Sequence, residues 1–425
     1  MGFWNFGGKK QTNSGFAEQL NDGAWLSYFN QYVNGLGNDK IAKFDQDSAY
    51  DLAMHIAEIF IPIDAIAERT SSVKYDLIDE ATGNVVIPTG NLKRLIDNPN
   101  PLSRFNDIIY QSIFSELAEG NSYTYVKIPD SFKNTTIDNI SNIWVLKPNL
   151  TKPVLKKNVS NPFLMKDSSD FIDYYKTFFL YEHKLDPRFV HHNTALGVDA
   201  LGAGESPLFA CEKNINNILA VYQARYNVYA KNGNAGILAK APSGGGGQSL
   251  QDAIDPVTRD TMLKDLQDRN GLTGNKNFIG LSSVPLQFIK TLGTIKELEP
   301  FDETLENAIK IAGVFGVNKE LLPKKDNATF SNQEIAEKSF WQNVIKSMAE
   351  DKARDLTKIF HLPEGLIFKP DFRGIEALQE DKKSGLEADG LYIDNLDKLK
   401  ANGLDLTDAY NNMVDKYNGN TTTRI

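Results

Sequence analysis

Gly204-Glu205-Ser206-Pro207-Leu208 introduces a stretch, Leu208 to Tyr229, in which Ile215, Ile218, Leu219, Tyr222, Tyr226 and Tyr229 recur at helical spacing. Ser206 and Pro207 suit the N-cap and the first helical position. A hydroxyl can accept an amide proton there, and proline lacks only an N–H that a helix start leaves unpaired anyway. The spacing predicts one helix ending at Asn232-Gly233. A small α/β segment should follow: a strand at Gly236–Ala239, a run from Ser243 to Gly247 that no rigid element can hold, a helix within Val257–Arg269, and strands at Asn277–Leu281 and Leu286–Leu292. A second helix is then expected from Asp302, read as its cap, to about Gly316, with Leu305, Ala308, Ile309, Ala312 and Phe315 on one face. The polar loop Asn318 to Phe330 comes next. Ser331-Asn332-Gln333-Glu334 has the spacing of a capping box and opens a long helix to about Phe360, striped by Phe340, Trp341, Val344, Ile345, Met348 and Leu356.

Outward from that stretch, the first half reads as mixed α+β. Leu52, Ile56, Ile59, Phe60, Ile63 and Ile66 form a helical stripe that Pro62 should kink or divide. Val73 to Ile87 has the pattern of a hairpin around Asp79–Asn84. After the turn Asn98-Pro99-Asn100-Pro101, Phe105 to Leu117 forms a stripe ended by Gly120, and Ser122 to Ile128 alternates like a strand. Further strands are expected at Ile143–Leu146 and Phe178–Tyr181. Residues 1–20 lack periodicity and read as an arm ordered only by a partner; residues from Gly374 read as short charged helices, and Asn418–Ile425 as a disordered tail.

The chain has 425 residues, 41% hydrophobic and 24% charged, enough to bury a core and too long for one compact globule. Its longest apolar stretch, Ala57 to Ala67, is interrupted by Glu58, Pro62 and Asp64 and falls short of the roughly 20 residues that span a bilayer. The N-terminus lacks the features of a signal peptide, and the lone Cys211 excludes an internal disulfide; both suit the cytoplasm. The net charge of −9 argues against tight sequence-independent DNA binding, which needs clustered Lys and Arg, but suits a surface past which DNA slides.

The residues assemble no recognisable active site. Gly202-Ala203-Gly204 and Gly244–Gly247 lack the lysine of a phosphate cradle, so no nucleotide, metal or other cofactor is expected. His191 and His192 are sequence neighbours, point apart in any regular element, and cannot easily share a metal. Ser206 sits in Gly-Glu-Ser-Pro rather than in a nucleophile elbow.

The order of segments is similar to that of the HK97-type portal family of tailed bacteriophages. Gly204-Glu205-Ser206-Pro207-Leu208, a long helix and Asn232-Gly233-Asn234-Ala235-Gly236-Ile237-Leu238 resemble that family's pattern. So do Ile311-Ala312-Gly313-Val314-Phe315-Gly316-Val317 with Leu321-Leu322, and Phe330-Ser331-Asn332-Gln333-Glu334. Weaker likeness extends to residues 52–67, Asn98–Pro101, Gly120-Asn121-Ser122-Tyr123 and Leu146-Lys147-Pro148. One departure is Asn318, where the family usually has proline.

The resemblance implies an elongated α+β subunit of a ring, usually of twelve copies, at one capsid vertex. Its parts would be an N-terminal arm (1–20), a wing (21–203), stem helices (204–233 and 293–317), a clip (234–292), a tunnel loop (318–330), a long helix with returning wing elements (331–373), and a crown and tail (374–425). The implied partners are double-stranded DNA, the terminase, the head–tail adaptor and the major capsid protein, with no membrane. The subunit would be assembled in the host bacterial cytoplasm and end in the virion. Lys319, Lys324, Lys325 and Asn327 would face DNA, while Ile237, Leu238 and Gly244, Gly245, Gly246 and Gly247 would meet partners at the clip. Alternatively the lysines form an ordinary solvated loop. Twelve acidic copies would carry roughly −108, a field that keeps DNA from sticking. The rival reading is another ring-forming head–tail protein without a channel; an enzyme comes third.

Overall fold

A computed structural model of the chain describes residues 44, 46–129, 136–157, 167–179, 181–198, 202–230, 236–240, 256–257, 260–261, 286–290, 300–323 and 330–379. The helices of the first half are α1 (Ala49–His55), α2 (Ala57–Ser72), α3 (Gly90–Asp97) and α4 (Phe105–Glu119). The strands are β1 (Lys74–Asp79), β2 (Asn121–Lys127), β3 (Asn142–Leu146), β4 (Thr151–Leu155), β5 (Ile172–Phe179), β6 (Tyr181–Leu185), β7 (Val190–Thr194), β8 (Leu196–Val198) and β9 (Gly204–Glu205). Then come a 3₁₀ turn at Pro207–Cys211, α5 (Glu212–Ala230), β10 (Gly236–Lys240), β11 (Leu286–Lys290) and α6 (Pro300–Val314). Last are α7 (Phe330–Phe340), a π segment (Trp341–Ile345), α8 (Lys346–Ile359) and β12 (Leu366–Asp371).

The main core forms where α2 and α4 pack together and α8 returns across them. Ile59 and Ile63 are wholly buried and Ile66 is 1% exposed, and each such side chain contributes about 1.5–3 kcal/mol by leaving water. The long apolar stripe is broken at Ile56 (φ −108°, ψ 114°) rather than at Pro62, which lies inside α2. Proline early in α2 forfeits one bond, to the Glu58 carbonyl. Ile56 can turn extended because its carbonyl caps α2, accepting from Ile59 N (3.0 Å) and Phe60 N (2.8 Å), while its side chain stays in the core.

The expected hairpin over Val73–Ile87 is only vestigial, with a single bridge between Ile78 and Val85. The full partner of β1 is β12, antiparallel from Lys74↔Asp371 to Asp79↔Leu366. Phe368 buries its ring where Val85 and Ile87 stay exposed, so a strand arriving from the far end of the chain outcompetes the local one. The strand expected at Phe178–Tyr181 is instead the tip of the β5–β6 hairpin, with Phe179 opposite Tyr181. An apolar run without Gly, Asn or Asp concealed that turn. Elsewhere β2 is the centre of the three-stranded sheet β3-β2-β7, and β4-β5-β6 form a second sheet. Tyr123, Ile172, Tyr175 and Val190 form a small separate core.

The long helix is continuous from α7 through the π segment into α8. It begins at Phe330, so Ser331 lies inside its first turn and is not the box's N-cap. Likewise α6 begins at Pro300, which places Asp302 in the first turn, where its charge still favours the positive end of the helix. The first turn of the Leu208–Tyr229 stretch is the 3₁₀ turn rather than α-helix.

Candidate functional site

Two sequence motifs that are 84 residues apart meet at the root of α5. Gly120 ends α4 with φ +79°, and a Cβ there would lie 2.1 Å from the Glu205 carbonyl oxygen. A Cβ on Gly204 would lie 2.4 Å from the Gly120 carbonyl oxygen. Only two glycines let these backbones approach so closely. Asn121 locks the joint: its amide donates to the Gly204 carbonyl (2.8 Å) and its side-chain oxygen accepts from Gly204 N (2.7 Å). The same oxygen lies 3.0 Å from His192 Nε2, and His192 Nδ1 lies 3.3 Å from the Tyr175 hydroxyl. These partners assign the neutral Nε2–H tautomer. Burial, helped by His191, drives the His192 pKa down to about 4. Ser206 caps the helix start by accepting from Leu208 N (3.2 Å) while its hydroxyl donates to the Ala118 carbonyl (2.6 Å).

From this joint, Leu208, Cys211, Ile215 and Ile218 form a fully buried stripe, and α5 runs beside α6. Cys211 packs as a small apolar residue, its thiol pushed up to about 11 by burial. Asn214 donates across the helix pair to Asn307 Oδ1 (2.7 Å). The Tyr222 hydroxyl lies 2.7 Å from both carboxylate oxygens of Glu58, fastening α5 to the start of α2. At its far end α6 buries Ile311, Ala312 and Phe315, and Gly316 (φ +72°) reverses the chain against Val344. Asn318 then caps a 3₁₀ turn, Lys319–Leu321, accepting from Glu320 N at 3.0 Å. With φ at −68° it has the backbone angle that proline would impose and adds a cap that proline could not.

Lys319 is exposed in that turn, whereas Lys324, Lys325 and Asn327 lie outside the described residues. Ile237 and Leu238 stand in β10, opposite Ile289 and Phe288 of β11. Gly244, Gly245, Gly246 and Gly247 and the strand expected at Asn277–Leu281 lie outside the described residues, as do residues 1–43 and 380–425. The structure therefore brings Lys319 to the foot of α6 and Ile237 and Leu238 into one two-stranded ladder, but does not join the two groups.

The long helix is anchored by two charged constellations that sequence reasoning missed. Arg69 of α2 forks onto Glu337 (Nε–Oε1 2.7 Å, Nη2–Oε2 3.0 Å), lies over the Phe340 ring at 5.3 Å, and shares Glu337 with Trp341 Nε1 (2.9 Å). Lys352 is 3% exposed and reaches Glu116 of α4 (2.5 Å) and Asp355 (3.3 Å). Asp355 also accepts from Asn193 and, at 3.4 Å, meets His191 Nε2. Burial alone would raise the Asp355 pKa, but the His191 and Lys352 contacts outweigh it and hold the carboxyl below its ordinary value. One signal was legible: Lys352 interrupts the buried stripe Ile345, Ala349, Leu356 and Ile359, and a lysine there requires a partner. His191 and His192 diverge as neighbours on a strand must, and no group of metal-binding side chains occurs among the described residues. No helix among the described residues is long and apolar enough to cross a membrane.

The arrangement is mechanical: a rigid joint, two helices leaving and returning beside it, and a long helix riveted to the first-half core. Comparison with solved structures finds the same fold in a ring-containing particle. The neck of a native gene transfer agent particle, computed with C12 symmetry, matches with TM-score 0.51 and 16% identity over 86% of this chain and 94% of that one. The virion of the native gene transfer agent gives 0.52 and 17% over 86% and 91%, and the neck of the empty particle, computed with C6 symmetry, gives 0.53 and 17% over 81% and 88%. No curated protein matches. The family model described as phage portal protein matches residues 57–395, from the first residue of α2 to beyond β12, and the chain belongs to that family.

Proposed function

We propose that this chain is one subunit of a ring, of twelve copies, that forms the channel at one capsid vertex through which DNA is packaged, retained and ejected. The observation that supports this best is the joint of Gly120, Asn121 and Gly204, from which α5 departs and beside which α6 returns. Such a pair gives each subunit a stem. In this reading the first half with β12 is the wing and β10–β11 belong to the clip, which docks the terminase during packaging and the head–tail adaptor afterwards. Residues 318–330 are the tunnel loop, residues 374–425 the crown, and the wing contacts the major capsid protein.

The charges fit passage better than grip. The subunit is acidic at −9, so phosphates are repelled in general, and Lys319, with Lys324, Lys325 and Asn327, offers brief local contacts. Electron microscopy of the purified protein tests the ring directly. Mushroom-shaped rings with an axial hole wide enough for duplex DNA support the reading; a stable monomer at all concentrations defeats it.

A further inference from the structure

An apolar cleft of about 280 Å³ opens between the start of α2 and α6, lined by Ile61, Pro62, Leu305, Ala308, Leu322 and Pro323. Its volume falls below the roughly 300–1,000 Å³ typical of small-molecule pockets but suits one or two anchoring side chains of a helix laid in a groove. Leu305 is 37% exposed at its rim.

The N-terminal 43 residues hold a segment that matches it. From Gly23 to Asn38 there is no charged residue, and Trp25, Phe29, Tyr32 and Val33 recur at helical spacing before the stop signal Asn34-Gly35. Burying that face costs no charge desolvation. The place where the segment joins the fold is also fixed. The Phe44 backbone N–H donates to Asn216 Oδ1 (2.8 Å), and the Phe44 ring packs edge-on against Phe209 at 5.1 Å. Six residues along α5 from Asn216, a rise of about 9 Å, stands Tyr222, bonded to Glu58, which itself lines the cleft. The eleven residues from Val33 to Phe44 reach up to about 36–40 Å when extended, far more than required.

We infer that the apolar face of Trp25, Phe29, Tyr32 and Val33 seats in this cleft of its own chain, strapping α2 to α6 at the level of Leu322 and Pro323. The short tether favours the same chain over a neighbour, because it holds the segment at an effective concentration in the millimolar range. The strap would fix the angle between the paired helices and the first-half core.

Disulfide mapping in the full-length chain tests this. Trp25→Cys, Phe29→Cys, Tyr32→Cys and, as the polar-face control, Gln31→Cys are each combined with Leu305→Cys, under mild oxidation and denaturing electrophoresis. Cys211 is 1% exposed and does not compete. The inference expects a fast-migrating intrachain product for Phe29→Cys with at least one of its apolar neighbours, and little for Gln31→Cys. Bands at dimer mobility would instead assign the cleft to a neighbouring copy, and equal or absent reaction at all four positions would also overturn it. Hydrogen exchange on the unmutated protein covers the case of a poorly folded variant. Removing residues 1–34 should speed exchange at 57–62 and 305–309, and unchanged rates there would overturn the strap.

Discussion

Replacing Lys352 with Met removes the only cation that touches Glu116 and Asp355 among the contacts of that buried cluster. The two carboxylates remain, with side chains 18% and 20% exposed. Breaking a buried pair by deleting one partner costs about 3–5 kcal/mol, and the partial exposure places this case at the lower end, about 3 kcal/mol. For a chain of this size that lowers the unfolding midpoint on the order of 6–12 °C. The pH dependence has a definite sign. In the parent protein Asp355 sits below its ordinary value of 3.8, so its contribution is complete above that pH and is lost as pH falls through the lower folded value. In Lys352→Met the loss of the ammonium raises the Asp355 pKa, so the penalty is largest near pH 7 and shrinks towards pH 4. The double variant Lys352→Met, Glu116→Leu should regain most of the loss, because apolar side chains of similar size can replace a buried pair. Thermal unfolding at one scan rate and one protein concentration measures all three, since assembly and irreversibility both shift the midpoint. A cost under about 1 kcal/mol for the single variant, or a double variant no better than the single, would refute the reasoning.

Gly120→Ala should prevent soluble assembly, because its Cβ would lie 2.1 Å from a backbone oxygen at a positive φ; normal yield and wild-type melting would show that the joint yields. His192 is held neutral with its pKa near 4, so its share of stability is complete above the ordinary value of 6.5 and is lost as pH falls towards 4. That share is at most about 3 kcal/mol, and His192→Gln should flatten the acid limb of a stability-versus-pH curve; an unchanged limb counts against it. Lys324→Ala with Lys325→Ala should leave ring assembly intact while altering packaging or retention of DNA, and full-length genome at wild-type yield would remove the contact role.

Much of the fold was legible because it rests on local rules. Ser206-Pro207, the stripe down α5, the Gly120 stop and the alternation of β2 all follow from caps and periodicity within a few residues. The joint was half legible: both motifs stood out, but their meeting depends on packing between segments far apart in the chain. Long-range competition explains the misreadings, since β12 displaces Val85–Ile87 beside β1 through a better buried face. The π segment was hidden for a related reason. One extra residue per turn lets both Phe340 and Trp341 bury, then Ile345, while Val344 turns aside against Gly316. Charge partners such as Arg69 with Glu337 cannot be paired from a single sequence, although a lysine within an apolar stripe announces that one exists.

The central claim is that α5 and α6 of each copy surround an axial channel. A cryo-EM map of the assembled particle measures it most directly. The account predicts a ring in which these paired helices flank the axis and the turn at Lys319–Leu321 points into the hole. A closed centre, or a ring with α5 and α6 on its outer rim, would contradict it.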